Sequence, residues 1–176
     1  GELASAIASI KKTGLTFAPE AATQALRERL GKDFDEQDFF TTLEAAYQAG
    51  YQHVKLYFMT GLPGETGQDL DGMVSLANQV SALRRKVVNR PAQVNVSVNT
   101  LIPKPHTAFQ WLAMEGIEQM REKQGYLKGR VRNKCLKFSF HDPQMSFLEA
   151  VFSRGDRRLA EVIKAAYGKG CSFDAW

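Results

Sequence analysis

The chain has 176 residues, 44% of them apolar and 24% charged, and its 23 Lys and Arg against 19 Asp and Glu leave a net charge of +4. That balance excludes wholesale disorder, and the length is enough for one unit with a buried core. No run approaches the roughly 20 apolar residues of a membrane-spanning helix. The two cysteines, Cys135 and Cys171, build neither a disulfide framework nor a clustered metal motif by themselves, so a reducing, cytoplasmic setting is expected.

In chain order, residues 1–7 read as the middle of an amphipathic helix with no initiator Met and no secretory n-region, so the chain reads as a piece of a longer protein. A processed natural N-terminus is the alternative. Residues 15–20 alternate as a strand, with Leu15, Phe17 and Pro19 opposing Thr16, Ala18 and Glu20. Asp35 is the expected N-cap of a helix over 36–49, which Gly50 closes. Residues 54–59 form a second strand, in which Val54, Leu56 and Phe58 oppose Lys55, Tyr57 and Met59. Thr66 precedes a helix over 68–88 whose Leu70, Met73, Val74, Ala77 and Val80 share one face. The third strand, 94–100, sets Val94, Val96 and Val98 against Asn95, Ser97 and Asn99. The fourth, 136–141, sets Leu136, Phe138 and Phe140 against Lys137, Ser139 and His141. Asp142 with Pro143 at the first helical position starts a helix over 144–152. Gly155 breaks it, and Asp156 starts a last helix ending near Gly168 or Gly170.

Strands that start about 40 residues apart with helices between them predict consecutive right-handed βα units on a parallel sheet, an α/β fold. Four such units make about half of a closed (β/α) barrel. A parallel strand covered on both faces is nearly all apolar, so the polar second face requires water or a ligand. Two arrangements satisfy it: a partial barrel with a ligand-holding lumen, or a one-sided sheet facing solvent. Residues 1–111 are expected to form the barrel portion and 112–176 a strand and helical extension packed on it. Open edge strands predict self-association.

Ligands of parallel βα folds bind at the C-terminal strand ends. The loops expected there are residues 19–23, 61–66, 102–107 and 141–143. Glu20 either accepts hydrogen bonds from a ligand or favours the next helix N-terminus. Residues 61–64 either bring backbone close to a ligand or form an ordinary tight turn; they lack the Gly-Lys-Ser/Thr ending of a phosphate loop. Glu65 either meets a ligand or is only an N-terminal helix charge. Lys104, His106, His141 and Asp142 present polar groups without forming a nucleophile–His–acid set or a metal-ligand set, so no catalytic or metal residue is assigned. Arg154, Asp156, Arg157 and Arg158 are either a solvated helix end or an anion site. Arg84, Arg85, Lys86 and the basic run 128–137 offer a polyanion surface and hence an alternative reading as an RNA- or protein-binding module.

The run Lys12-Thr13-Gly14-Leu15-Thr16-Phe17-Ala18-Pro19-Glu20-Ala21, the segment from Val54 through Gly61-Leu62-Pro63-Gly64-Glu65-Thr66, and Pro103-Lys104-Pro105-His106 resemble the later half of a radical S-adenosylmethionine domain. Val96-Ser97-Val98, His141-Asp142-Pro143, Gly155-Asp156-Arg157-Arg158 and Phe173-Asp174-Ala175-Trp176 extend the likeness to the group of such proteins that carries an N-terminal cobalamin-binding-type domain. The resemblance implies a partial (β/α)₆ barrel, with residues 15–20, 54–59 and 94–100 as its fourth, fifth and sixth strands. It implies that Glu20 meets the ribose or methionyl part of S-adenosylmethionine, that Gly61, Leu62 and Glu65 lie near the adenine, and that Asn99 and Ile102 belong to the wall of the same pocket. Lys55, Tyr57, Asn95, Ser97 and Asn99 would face an unknown substrate.

It implies too that the parent protein holds a [4Fe–4S] cluster, and cobalamin through another domain. The CxxxCxxC loop for the cluster is absent here. The chain is therefore expected to be an inactive fragment whose partner is the N-terminal half of its own domain. Ala22 stands where the family usually has Gly.

Overall fold

The computed structural model describes residues 14–32 and 34–171. The helix expected over residues 1–7, and the resemblance residues Lys12, Thr13, Phe173, Asp174, Ala175 and Trp176, lie outside them. The elements run β1 (Leu15–Glu20), α1 (Gln24–Arg29), α2 (Glu36–Gln48), β2 (His53–Thr60), α3 (Gly67–Val88), β3 (Gln93–Thr100), α4 (Ile117–Arg130), β4 (Leu136–Phe140), α5 (Pro143–Arg154) and α6 (Leu159–Gly168).

The four strands make one parallel sheet in the order β1-β2-β3-β4, the α/β fold expected and one consistent with a partial βα barrel. Sequential order with right-handed crossovers returns α2, α3 and α4 to the same side. The burial of β2 and β3 follows from that. Val54, Leu56, Phe58, Val94, Val96 and Val98 are buried beneath Phe39, Leu43 and Tyr47 of α2, Met73, Ala77 and Val80 of α3, and Leu127 of α4. On the other face Lys55, Tyr57, Asn95, Ser97, Asn99, Lys137 and Ser139 are partly or fully exposed. No helix among the described residues is long and apolar enough to cross a membrane.

Helix ends follow the local signals. Asp35 caps α2 through the Asp38 N–H at 2.8 Å, and Asp142 caps α5 through the Gln144 and Met145 N–H groups at 2.9 and 3.0 Å. The last helix starts at Leu159 rather than at Asp156, whose carboxylate instead accepts from the Arg158 backbone and guanidinium. At the N-terminal end of the sheet, Arg84 is nearly buried and donates to the carbonyls of Tyr51, Arg90 and Pro91 at 3.1, 3.5 and 3.3 Å. It binds the chain's own backbone, so it leaves the surface cluster expected for Arg84, Arg85 and Lys86.

The two faces of the sheet carry unequal stability. Phe58→Ala removes a fully buried ring and is expected to cost about 3–5 kcal/mol, whereas Asn95→Ala on the open face should stay within about 0.5 kcal/mol. Urea unfolding of both variants measures this, and similar losses would contradict a one-sided core.

Candidate functional site

The strand ends on the C-terminal side are where local structure departs from regularity. The β1–β2 register passes from Phe17↔Leu56 to Glu20↔Phe58, so β1 carries one extra residue there. Glu20 thus lies opposite Phe58 and not Met59, and the simple alternation expected for residues 15–20 stops before it. Its φ of 64° is left-handed, a conformation uncommon outside glycine. The carboxylate is partly exposed, 4.0 Å from the Lys32 ammonium. Burial pushes its pKa up, and Lys32 opposes the shift.

The loop after Glu20 is held from two sides. Arg27 of α1, only 1% exposed, donates to the carbonyls of Ala21 and Ala22 at 3.3 and 3.0 Å and to the Glu36 carboxylate at 3.0 Å, with its guanidinium over the Phe34 ring. Thr23, the N-cap of α1, donates its hydroxyl to Asp69 near the start of α3. Asp69 also accepts the Thr66 N–H and hydroxyl, each at 2.8 Å. Burial disfavours its charge, but the hydrogen bonds from Thr23 and Thr66 outweigh that and hold the carboxyl below the usual aspartate range. One carboxylate thus joins the loop after β1 to the loop after β2.

That second loop turns on Gly61 (φ 77°) and Gly64 (φ 78°). The space that their missing side chains leave is filled from within the chain. A Cβ on Gly61 would lie 3.2 Å from the Glu115 carboxyl, and one on Gly64 would meet the guanidinium of the exposed Arg29. Glu65 turns inward, its side chain 2% exposed, and pairs with Lys123 of α4, which also pairs with Glu115. One oxygen of each glutamate is buried without a hydrogen-bond partner. Desolvation raises the Glu65 pKa against the pull of Lys123, and the nearby Glu115 charge adds to the rise. Leu62 is buried with Ala21, Leu26 and Leu101, so the loops after β1, β2 and β3 share one apolar cluster.

Asn99 is exposed in the last turn of β3 beside Met59, and Ile102 is half-buried just beyond the strand. The Leu101 N–H donates to the Thr60 carbonyl at 2.8 Å, which continues the β2–β3 pairing into the loop. Ala22, in the place where the resemblance expects Gly, packs against α3 where a glycine makes the room. A Cβ on Gly72 would lie 3.0 Å from that of Ala22.

Other candidate groups resolve into local supports. Lys104 pairs with Glu149 of α5, and His106, exposed with φ of 62°, donates its backbone N–H to the Gln110 side chain at 3.2 Å. Arg154 donates to the carbonyls of Leu112 and Gln110 at 2.9 and 3.3 Å and so ties α5 to that loop. His141 Nδ1 is 2.8 Å from the hydroxyl of the buried Ser146. Beside the free edge of β4, Gln124, Lys128, Phe138, Phe140 and His141 line an open cavity of about 470 Å³. Among the described residues no group of three or more His, Cys, Asp or Glu is arranged to hold a metal ion, and both cysteines are free.

Sequence reasoning overlooked Arg27, Asp69, Glu115 and Lys123. For Asp69 a local signal exists, three residues after Thr66, which is the spacing of a capping box. Lys123 is 58 residues from Glu65, and no local pattern announces such a pair.

The chain is 32% identical over 154 residues to an uncharacterised protein of Methanocaldococcus jannaschii, an alignment covering 88% of this chain and 33% of that protein. It is 29% identical over 102 residues to the heme chaperone HemW of Bacillus subtilis, covering 58% of this chain and 24% of HemW. The chain thus spans a third or less of the curated relatives it matches. No family model matches it, and no solved structure does.

The opposed shifts of Glu65 and Asp69 give a pH signature. With its pKa raised on folding, Glu65 makes stability fall as pH rises from the ordinary glutamate range through the raised value. Asp69, with its pKa lowered, contributes stability above the ordinary aspartate range that is lost on acidification. Urea unfolding from about pH 3 to 8 should show Glu65→Gln reducing the first slope to the part that Glu20, also raised by burial, leaves, while the acid loss persists. An unchanged profile in that variant would contradict the buried triad.

Proposed function

We propose that the chain is the C-terminal part of a radical S-adenosylmethionine domain and supplies one side of its adenosyl and substrate pocket. The observation that carries this reading is the convergence of the Glu20, 61–65 and 99–102 segments, which hold the resemblance motifs, around one apolar cluster at the C-terminal end of a parallel sheet with a polar face. Distant similarity to the heme chaperone HemW accords with it. A cobalamin-binding domain in the parent rests on the motif resemblance alone.

The residues fit the cofactor in part. Glu20 offers a partly exposed carboxylate for the ribose hydroxyls or the methionyl ammonium. The backbone of 99–102 offers a wall for the same nucleoside. Gly61 and Gly64 shape their loop by admitting Glu115 and Arg29, and Glu65 braces it through Lys123; in this reading these residues position the pocket rim. Two separate cysteines do not fit a four-iron cluster, so its ligands belong to the parent's remaining length. When bound and reduced by such a cluster, S-adenosylmethionine supplies radical chemistry for hydrogen abstraction or group transfer. This chain's residues orient the nucleoside and face the substrate.

Calorimetric titration tests the reading. S-adenosylmethionine and 5′-deoxyadenosine should bind the chain weakly, and Glu20→Ala should reduce the affinity about tenfold, the loss of one charge-assisted hydrogen bond. Binding unaffected by Glu20→Ala would assign the nucleoside elsewhere, and no binding at millimolar ligand would oppose a preformed half-pocket.

We further propose that β1 and β4, whose outer edges have no strand partner among the described residues, associate with another copy when the rest of the domain is absent. Light scattering should show a mass that rises with concentration, and a constant monomer mass would refute this.

A further inference from the structure

We infer that the open face of the sheet holds an anion site, formed by Thr16, Lys55, Asn95 and Lys137, that takes a carboxylate or phosphate of the substrate. The inference rests on the reading of this face as a lumen and adds to it a class of substrate and a direction of binding.

The four residues form one register row across the whole sheet, since Thr16 pairs with Lys55, Lys55 with Asn95, and Asn95 with Lys137. In a parallel sheet such partners point to the same face. Lys55 and Lys137 therefore stand two strands apart, about 10 Å between their backbones, a span that two lysine side chains close over the amide of Asn95. The Lys55 ammonium lies over the Tyr57 ring, 4.4 Å from its centroid, and the Lys137 side chain is exposed. Neither has a carboxylate within ion-pair distance among the described residues. Lys86, Lys128 and Lys164 also lack an acidic partner among the described residues, so what sets Lys55 and Lys137 apart is their shared register row on the open face.

Two cations with an amide between them and a hydroxyl beside Lys55 are costly to cover unless an anion comes with the cover. The next row, Tyr57, Ser97 and Ser139, carries only hydroxyls, and beyond it come Met59, Asn99 and, just past β4, His141. The lysines of this face are therefore confined to one row, and hydroxyls and then Met59, Asn99 and His141 follow toward the end where Glu20 and the 61–65 loop gather. From the Lys55 row to the Asn99 row is four residues, about 13 Å. A substrate matching this order has an anionic end anchored at the lysine row and its reacting end about 13 Å away, beside the loops.

The test is an NMR titration of the 176-residue chain with inorganic phosphate and, separately, with succinate, at constant ionic strength. Saturable shifts of the Lys55, Asn95 and Lys137 amides and of both lysine ammonium groups are expected. They should weaken at least tenfold in Lys55→Met/Lys137→Met and persist in Lys55→Arg/Lys137→Arg. The tighter of the two probes identifies the anion as phosphate or carboxylate.

Shifts spread over surface lysines such as Lys104 and Lys164, absence of saturation, or undiminished binding in the Met double variant would each overturn the site. Circular dichroism of both variants separates lost binding from lost fold. Where the Met variant does not fold, the wild-type lysine ammonium signals decide. Failure here leaves nucleoside binding at the other end of the strands intact, so the two readings fail separately.

Discussion

Every helix of a sequentially ordered parallel sheet returns on the same side, and that constraint divides this chain into a closed half and an open half. Hydrophobic burial is spent on one face, where Leu56, Phe58, Val94 and Val96 are inaccessible beneath α2, α3 and α4. Among the described residues no helix covers the other face, which carries Lys, Tyr, Asn and Ser. The same crossovers bring all strand ends of one polarity to one side. Loops that begin 40 residues apart in the chain thus become neighbours in space, and the shape of the candidate pocket depends on what fastens them to one another.

The fastenings are polar and remote in sequence. Asp69 joins the loop after β1 to the loop after β2 through Thr23 and Thr66. Glu65, Lys123 and Glu115 join the β2 loop to α4. Buried charges of this kind contribute little net stability when paired, but removing one partner strands the other in a dry environment. Their consequence here is geometric. The room that Gly61 leaves is taken by the Glu115 carboxyl, itself paired with Lys123, so this part of the rim is stiffened by the chain's own side chains. Ligand groups are left to meet the strand ends, Glu20 and the open face.

Much of the fold was legible because its signals are local. Period-two alternation of Val, Leu and Phe marked β2, β3 and β4 to within a residue or two, and Asp35, Thr66 and Asp142 marked three helix starts. Helix α4 escaped notice because only Met120 and Leu127 are buried on it, too thin a stripe to show as periodicity. At the end of β1 the alternation failed, and Pro19 inside a strand pattern was the available warning of a bulge. The loop residues of the candidate site stood out through Gly and Pro. Their supports did not, because Arg27, Glu115 and Lys123 act on partners that only the folded topology brings near.

The two loops form one unit held by Asp69. Amide hydrogen exchange on the chain and on Asp69→Asn reads that directly. In the unaltered chain the amides of residues 21–27 and 65–70 should open with a common free energy. In Asp69→Asn both sets should lose protection together, by about 1–3 kcal/mol, while the β2 and β3 core keeps its own. Independent opening of the two loops, or protection unchanged by the substitution, would contradict it.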